Sequence, residues 1–178
     1  DWFGILPLTG KMLNVRNATP AAIAANKVIM NIVGVVGIKS GVDYTDNDQY
    51  KRLNYGRVIL MTDADVDGIH IEGLFLNLID TLFPSLLARS PPFVVSMKTP
   101  IARIAHTDTV FYDERRFEAF MASTPKPPSG IKYYKGLGTI RPSDVPSTFG
   151  LRIIEYINDA DGSIALANAF AKSGVAHR

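Results

Sequence analysis

Residues 57–73 read RVILMTDADVDGIHIEG. The first six residues are a continuous apolar run of strand length, which is typical of a strand buried on both faces of a parallel sheet. The last residues begin a segment with helical periodicity. Between them lie three aspartates, Asp63, Asp65 and Asp67. This order of strand, acidic loop and helix predicts an α/β fold with a small parallel sheet flanked by helices.

The three carboxylates repel one another unless something positive stabilises them. At the carboxyl end of a strand, Asp63 and Asp65 would project into the crevice where open α/β sheets bind their ligands. Mg²⁺ suits a few carboxylates, with waters and phosphate oxygens completing its coordination. The plainer alternative is a solvated acidic turn that stabilises the start of the following helix.

A calcium loop of the EF-hand type fits only half of the pattern. Asp63, Asp65, Asp67 and Gly68 match its first, third, fifth and sixth positions. The twelfth position, which needs a bidentate glutamate, is Leu74. The residues before the loop are apolar and β-branched and do not form an amphipathic helix. The sequence therefore favours magnesium over calcium.

The composition is that of one globular domain, or of one domain with an appendage. Of the 178 residues, 47% are apolar and 20% are charged, which argues against disorder. The absence of cysteine excludes a disulfide framework and a thiolate metal site. A net charge of +2 permits a nucleic-acid partner without requiring one. No apolar run reaches membrane-spanning length, so we expect no membrane partner.

Two further segments place a lysine beside a glycine. They are PLTGKMLNV at residues 7–15, which contains Lys11, and KYYKGLGT at residues 132–139, which contains Lys135. At such a pair, both the backbone and the ammonium group can approach an anion closely. Either segment alone is usually just a turn. Together with a carboxylate metal site, the two segments indicate a polyanion such as a nucleic-acid backbone.

Outside these blocks, two segments near the N-terminus carry local signals. Residues 3–8 form a short apolar run that predicts a buried strand. Thr19 and Pro20 predict a helix start, with Thr19 as the N-cap. The apolar spacing that follows predicts one helix that ends before Gly34 and Gly37.

Five blocks, in their order and spacing, resemble type IIA DNA topoisomerases. The blocks are PLTGKMLNV, YGRVILMTDADVDGIHIEGL, TPI, FYDERRFEAF and KYYKGLGT. The doubled tyrosine, and the STP before it, resemble the eukaryotic and large-DNA-virus enzymes more than bacterial gyrase. The similar region is the Toprim domain and the start of the link to the winged-helix domain.

The resemblance implies a division of the chain into two parts. We expect a Toprim-type domain over residues 1–149, with a β-rich insertion over residues 93–113. The Toprim domain should lack its first element, which carries a glutamate in an EGDSA-like block. Residues 150–178 should form a partly detached tail, the start of the winged-helix DNA-binding region.

The resemblance also implies an activity for the whole enzyme. Type IIA topoisomerases use ATP, cut both strands of one duplex, pass a second duplex through and reseal the break. A tyrosine links covalently to the DNA in between. That tyrosine, the Toprim glutamate and the ATP-binding region match nothing in this sequence. We therefore expect no catalytic residue in this chain, no ATP bound by it and no DNA cleavage by it alone.

By the match, Asp63 and Asp65 are the principal Mg²⁺ ligands, with Asp67 close by or linked through water. Mn²⁺ or Ca²⁺ would substitute for Mg²⁺. The residues expected to contact DNA are Lys11, Asn14, His70, Lys135 and Gly136. His70 could equally be a packed or capping histidine.

The implied partners are double-stranded DNA and, in the whole enzyme, a second copy in a homodimer. The eukaryote-like wording implies the nucleus, or the cytoplasm or a virus factory if the source is viral.

The sequence departs from the family pattern at three positions. Thr9 stands where Arg or Lys is usual, beside the pocket for cleavage-stabilising drugs. Ile69 and Glu72 stand where Ser and Lys are common. Because Glu72 reverses a charge near the predicted site, we expect weaker DNA contact there.

Two other functions fit parts of the sequence. Another DxD magnesium-dependent phosphotransfer enzyme, such as a haloacid-dehalogenase-like phosphatase, would need a downstream lysine and acidic pair that KYYKGLGT does not resemble. A non-catalytic calcium-binding or DNA-binding module would show no dependence of activity on Asp63 and Asp65.

Overall fold

The computed structural model describes residues 3–105, 107, 109–126, 128–156 and 158–172. The chain divides into two compact units, each built from separate stretches of sequence. The first unit comprises Asp1–Val58, His70–Val95 and Glu155–Arg178, and the second comprises Ile59–Ile69 and Ser96–Ile154.

The described residues form six strands and seven α-helices, in mixed order along the chain. The strands are β1 (Val58–Met61), β2 (Val94–Met97), β3 (Ala102–Ile104), β4 (Val110–Phe111), β5 (Ile131–Tyr133) and β6 (Ile153–Glu155). The helices are α1 (Pro20–Ala25), α2 (Lys27–Val36), α3 (Asn47–Tyr50), α4 (Val66–Leu82), α5 (Pro84–Leu87), α6 (Glu114–Ser123) and α7 (Ala160–Phe170).

These strands form two small sheets. One has the strand order β1-β2-β6 and the other has the order β4-β3-β5. All four residues of β2 are buried. Strands β2, β3 and β4 lie in the stretch where we predicted a β-rich insertion. The predicted α/β fold, with small sheets flanked by helices, is confirmed.

Asparagine and threonine caps set the helices of the N-terminal segment. The Thr19 side chain accepts a hydrogen bond from the Ala22 N–H, so α1 begins where the sequence predicted. The prediction of one continuous helix from this start to Gly34 and Gly37 is wrong. Two helices form instead, because Asn26 ends α1 and caps α2. Gly37 ends α2 in the left-handed conformation, with φ of 81°.

The core of the first unit is built around α4. Leu78 and Ile79 of this helix are fully buried, as are Leu86 of α5 and Phe93 before β2. Pro84 begins α5 one residue after the end of α4, because proline suits the first position of a helix.

The second unit contains an antiparallel sheet with two different faces. Phe111 of β4 and Tyr133 of β5 form an aromatic cluster with Phe117 and Phe120 of α6. On the other face, Arg103 lies directly opposite Lys132. The apolar face therefore anchors α6, and the other face carries two neighbouring positive charges.

Residues 3–8 do not form the buried strand that we predicted. They have no regular secondary structure, and the Ile5 side chain is 95% exposed. Within the stretches that the structure describes, no helix is both long and apolar enough to cross a membrane.

Candidate functional site

The acidic loop follows β1 and leads into α4. Asp63, Asp65 and Asp67 are all exposed. An oxygen of Asp65 accepts a hydrogen bond of 2.7 Å from the Gly68 N–H, as an N-cap does. Asp67 lies in the first turn of α4, where a negative charge is favourable. The helix-start role that the sequence allowed for these residues is therefore present.

Gly68 is needed because the loop folds back on itself. A Cβ atom at this position would overlap the backbone oxygen of Asp63. Only glycine allows the first turn of α4 to approach the end of the loop so closely.

The KYYKGLGT segment contacts the acidic loop within the second unit. The Leu137 N–H donates a hydrogen bond of 2.8 Å to Oδ1 of Asp63. Gly136 has φ of 106°, and a Cβ there would lie 2.6 Å from the Asp63 carboxylate. The two motifs that the sequence singled out thus meet, and the turn fixes the orientation of Asp63.

Hydrogen bonds inside the turn hold its shape. The Thr139 hydroxyl accepts a bond of 3.0 Å from the Lys135 N–H and donates one of 2.7 Å to the Gly136 carbonyl. Lys135 is exposed. The hydrogen bond from the Lys135 N–H holds the Lys135 backbone in the turn that contacts Asp63.

A second group of predicted residues lies in the first unit. The Asn14 amide donates a hydrogen bond of 2.8 Å to the Phe170 carbonyl, and its oxygen accepts one of 3.0 Å from Asn77. Arg16 donates to the oxygen of Asn77 at 2.8 Å and pairs with Asp80 at 2.5 Å. We call Asn14, Arg16, Asn77 and Asp80 the amide network.

His70 and Lys11 also belong to the first unit and are exposed. The His70 ring stacks on the Phe170 ring, with 6.1 Å between the ring centroids and 19° between the planes. His70 therefore packs against Phe170, which is one of the two roles that the sequence allowed, and it also remains exposed to solvent.

Glu72, which reverses a charge near the predicted site, is buried. The residue is 6% exposed, and its carboxylate accepts a hydrogen bond of 3.1 Å from the Tyr156 hydroxyl. Its position in α4 turns the side chain inward. The weaker DNA contact expected from Glu72 stays a prediction.

The predicted residues fall into two sets. Asp63, Asp65, Asp67, Lys135 and Gly136 belong to the second unit, and the other three predicted residues, Lys11, Asn14 and His70, belong to the first. No group of three or more histidine, aspartate or glutamate side chains is arranged to hold a metal ion in the part of the chain that the structure describes.

The sequence analysis missed four residues that the structure places beside these sets. Leu137 acts through its backbone N–H, which leaves no signal in a sequence. Phe170 is one apolar residue among many. Arg16 is an ordinary charged residue. Asn77, however, is an amide within the apolar run GLFLNLID, and a polar residue in such a run indicates a buried hydrogen bond.

An ion pair shapes the electrostatics of the second unit. The Lys132 ammonium group donates to Asp144, which also accepts from the Arg141 N–H. Although burial opposes ionisation, the hydrogen bond from Lys132 lowers the pKa of Asp144 from its ordinary value of 3.8.

The Asp144 ion pair predicts a pH dependence of stability. Its stabilisation should be fully present above the ordinary pKa and be lost as the pH falls below it, because the unfolded chain then binds more protons. We expect Asp144→Asn to reduce the loss of unfolding free energy between about pH 5 and pH 2, measured by urea titration. An unchanged slope would contradict the role given to the ion pair.

Comparison with known proteins identifies the class. The model of the Toprim domain matches residues 2–95, and the model of the C-terminal associated domain of TOPRIM matches residues 97–178. The chain belongs to the Toprim domain family.

Within that class, the similar proteins are type II topoisomerases, as the sequence motifs predicted. DNA topoisomerase 2 of Invertebrate iridescent virus 6 is 38% identical over 96% of this chain and 16% of its own length. DNA topoisomerase 2 of Pisum sativum is 41% identical over 97% of this chain and 12% of its own length. Human DNA topoisomerase 2-alpha is 37% identical over 100% of this chain and 12% of its own length.

A solved structure agrees with the sequence comparison. The DNA-binding, cleavage and re-ligation domain of Plasmodium falciparum topoisomerase II superposes with a TM-score of 0.79 and 32% identity. The match covers 96% of this chain and 24% of that one. The chain thus spans only a small part of the length of the proteins it resembles.

Proposed function

We propose that this chain is the metal-binding part of the DNA cleavage and religation site of an ATP-dependent type II DNA topoisomerase. The observation that carries the proposal is the contact between Asp63 and the turn at Gly136 and Leu137. It joins the acidic loop and the lysine-containing turn in one exposed place.

The donor set of the acidic loop fits a hard divalent cation. Asp63 and Asp65 each use Oδ1 to accept a backbone N–H. In the described part of the chain, Oδ2 of each of them meets no hydrogen-bond donor. We propose that these two oxygens hold Mg²⁺, with Asp67 close by or linked through water, and with Mn²⁺ or Ca²⁺ as substitutes.

The chain's own residues would prepare the site for a phosphate. A bound divalent cation supplies positive charge to a phosphate oxygen. The backbone of the turn orients Asp63, and the exposed Lys135 beside it offers a charge to the DNA backbone. We propose that Gly136 lets DNA approach the turn closely, since it has no side chain.

In the first unit, we propose that Lys11, Asn14 and His70 contact DNA. Lys11 and His70 are exposed, which suits that role. The Asn14 amide is also engaged inside the unit, which would hold the segment around Lys11 in place for that contact.

The remaining proposals concern the whole protein. Double-stranded DNA would be its substrate, ATP its fuel and a second copy its partner in a homodimer. Its compartment would be the nucleus, or the cytoplasm or a virus factory for a viral protein. We propose a Toprim domain over residues 1–149 and the start of the winged-helix region over residues 150–178, and we expect the chain alone not to cut DNA.

Anomalous scattering from crystals soaked in Mn²⁺ tests the metal site. We expect a peak bounded by Asp63 and Asp65. A peak enclosed by the whole loop of residues 63–74 would favour a calcium module. The absence of a peak at the loop would contradict the proposed metal site and leave Asp65 as a helix cap.

The turn at Gly136 gives a more specific test. We expect Gly136→Ala to weaken Mn²⁺ binding about 10- to 100-fold, the range seen when a group that orients a metal ligand is lost. The new methyl group would displace the Asp63 carboxylate, and φ of 106° would be strained.

Gly138→Ala is the matched control, because nothing lies within 4 Å of a Cβ at that position. Titration of free Mn²⁺ by electron paramagnetic resonance measures both variants. Equal affinities of the two variants would show that the turn does not orient Asp63.

A further inference from the structure

Phe170, the last residue of α7, is held from two directions within the first unit. Its carbonyl oxygen accepts hydrogen bonds from the side-chain amides of Asn14, at 2.8 Å, and Asn17, at 2.7 Å. Its ring stacks on His70 and lies so close to Gly73 that a Cβ there would be 2.9 Å from Cζ. The side chain is 8% exposed.

This arrangement is an unusual way to end a helix. The last carbonyl groups of a helix have no partner inside it and are commonly satisfied by water or by a following glycine. Here the amides come from residues 156 and 153 positions away in the sequence. The end of α7 is therefore fixed to the segment that follows Lys11.

The amide network decides which way Asn14 points. Asn77 donates to the Asn14 oxygen, so the NH₂ group of Asn14 must be the end that faces Phe170. Arg16 in turn fixes Asn77 by donating to its oxygen. Asn77 is fully buried, so rotation of any of these amides would leave a buried polar group unpaired.

Phe170 thus touches two residues that we propose contact DNA, Asn14 through its carbonyl and His70 through its ring. We infer that Phe170 is a positioning residue, which holds His70 and the Asn14 segment in one arrangement toward duplex DNA. This inference rests on the proposed function. It means that the DNA affinity of the first unit depends on the contacts of Phe170 with His70 and Asn14 at the end of α7.

The test is the affinity of the chain for a fluorescent duplex oligonucleotide, measured by anisotropy in EDTA so that metal binding plays no part. We expect Phe170→Leu to weaken binding roughly three- to tenfold, the equivalent of one lost hydrogen-bonded contact. Leucine keeps an apolar side chain in place but removes the ring from His70. Ile164→Leu is the control, since Ile164 lies in the same helix and is 57% exposed.

A double-mutant comparison separates positioning from simple packing. If Phe170 acts through His70, then Phe170→Leu should have little further effect in a His70→Ala background. The same loss of affinity in both backgrounds would overturn the inference. So would equal affinities of Phe170→Leu and Ile164→Leu.

Two further measurements keep the inference testable. If Phe170→Leu does not fold, Asn17→Ala removes one donor to the Phe170 carbonyl, and we expect about a twofold loss of affinity. No loss of affinity would count against the inference.

If the wild-type chain does not bind duplex DNA at all, the proposed function of the first unit fails. The nuclear magnetic resonance signals of the His70 ring and the Asn14 amide then decide the contact by itself. Changes in Phe170→Leu that are absent in Ile164→Leu would support the positioning contact, and unchanged signals would overturn it.

Discussion

Asp63→Asn should weaken Mn²⁺ binding by at least about 100-fold, more than the loss of an orienting group does. Asparagine keeps an oxygen that can accept the Leu137 N–H, which is 2.8 Å from Oδ1 in the wild type. The turn should therefore survive, and the variant should lose only the negative charge that attracts the cation. Electron paramagnetic resonance of free Mn²⁺, with circular dichroism as a check on folding, measures the effect.

The chain offers a matched control in a similar acidic sequence, DADG at residues 159–162. There Asp159 accepts from the Gly162 N–H at 2.7 Å and caps α7, as Asp65 caps α4. Asp161 is an exposed acidic residue in the first turn of α7. We expect Asp161→Asn to leave Mn²⁺ affinity unchanged. If both variants lost affinity equally, binding would reflect general negative charge and not a site.

The second large effect should be on stability. Asn77→Leu is expected to lower the free energy of unfolding by about 2 kcal/mol. The half-buried Arg16 Nε–H would lose its acceptor, and the Asn14 oxygen would keep only the Arg16 backbone N–H, at 3.3 Å. Leucine has a similar volume, so the loss should come from the polar groups and not from a cavity. Urea unfolding followed by circular dichroism measures it.

Asn168→Leu is the control for this substitution, because Asn168 is exposed on α7. We expect it to change the free energy of unfolding by less than about 0.5 kcal/mol. If Asn77→Leu left the free energy of unfolding unchanged or raised it, the amide network would stabilise the fold less than a well-packed apolar side chain does.

Local patterns predicted most of the fold. The apolar run at residues 57–62, the aspartates after it and the periodicity beyond them gave β1, the acidic loop and α4, since each depends on neighbours in sequence. Thr19 and Pro20 gave the start of α1 for the same reason. The break at Asn26 was missed because Asn26 caps α2 in the middle of a segment whose apolar spacing continues through it.

Packing decided the cases that local patterns did not. Residues 3–8 are apolar enough for a strand, but a strand needs a neighbour to pair with, and apolarity alone does not show one. For Glu72, the sequence gave its distance from the acidic loop along the chain. It did not show that the side chain points toward Tyr156, which lies 84 residues away in the sequence.

In the candidate site too, local patterns identified some residues, and contacts between distant residues were missed. The aspartates, Lys11 and Lys135 were identified from their spacing and neighbours. The contact that orients Asp63 joins residues 74 positions apart and is donated by a backbone N–H. A sequence pattern carries no trace of such a contact, although the glycine that permits it, Gly136, was among the predicted residues.

The interleaving of the two units has a consequence for how such proteins can exchange segments in evolution. The two family matches meet between residues 95 and 97, but Asp63 lies before that boundary and Leu137 after it. A recombinant that joined the two halves from different relatives would have to re-create their hydrogen bond. Because the donor is a backbone N–H and its neighbour needs only to be glycine, the two halves can diverge in their side chains and still fit together.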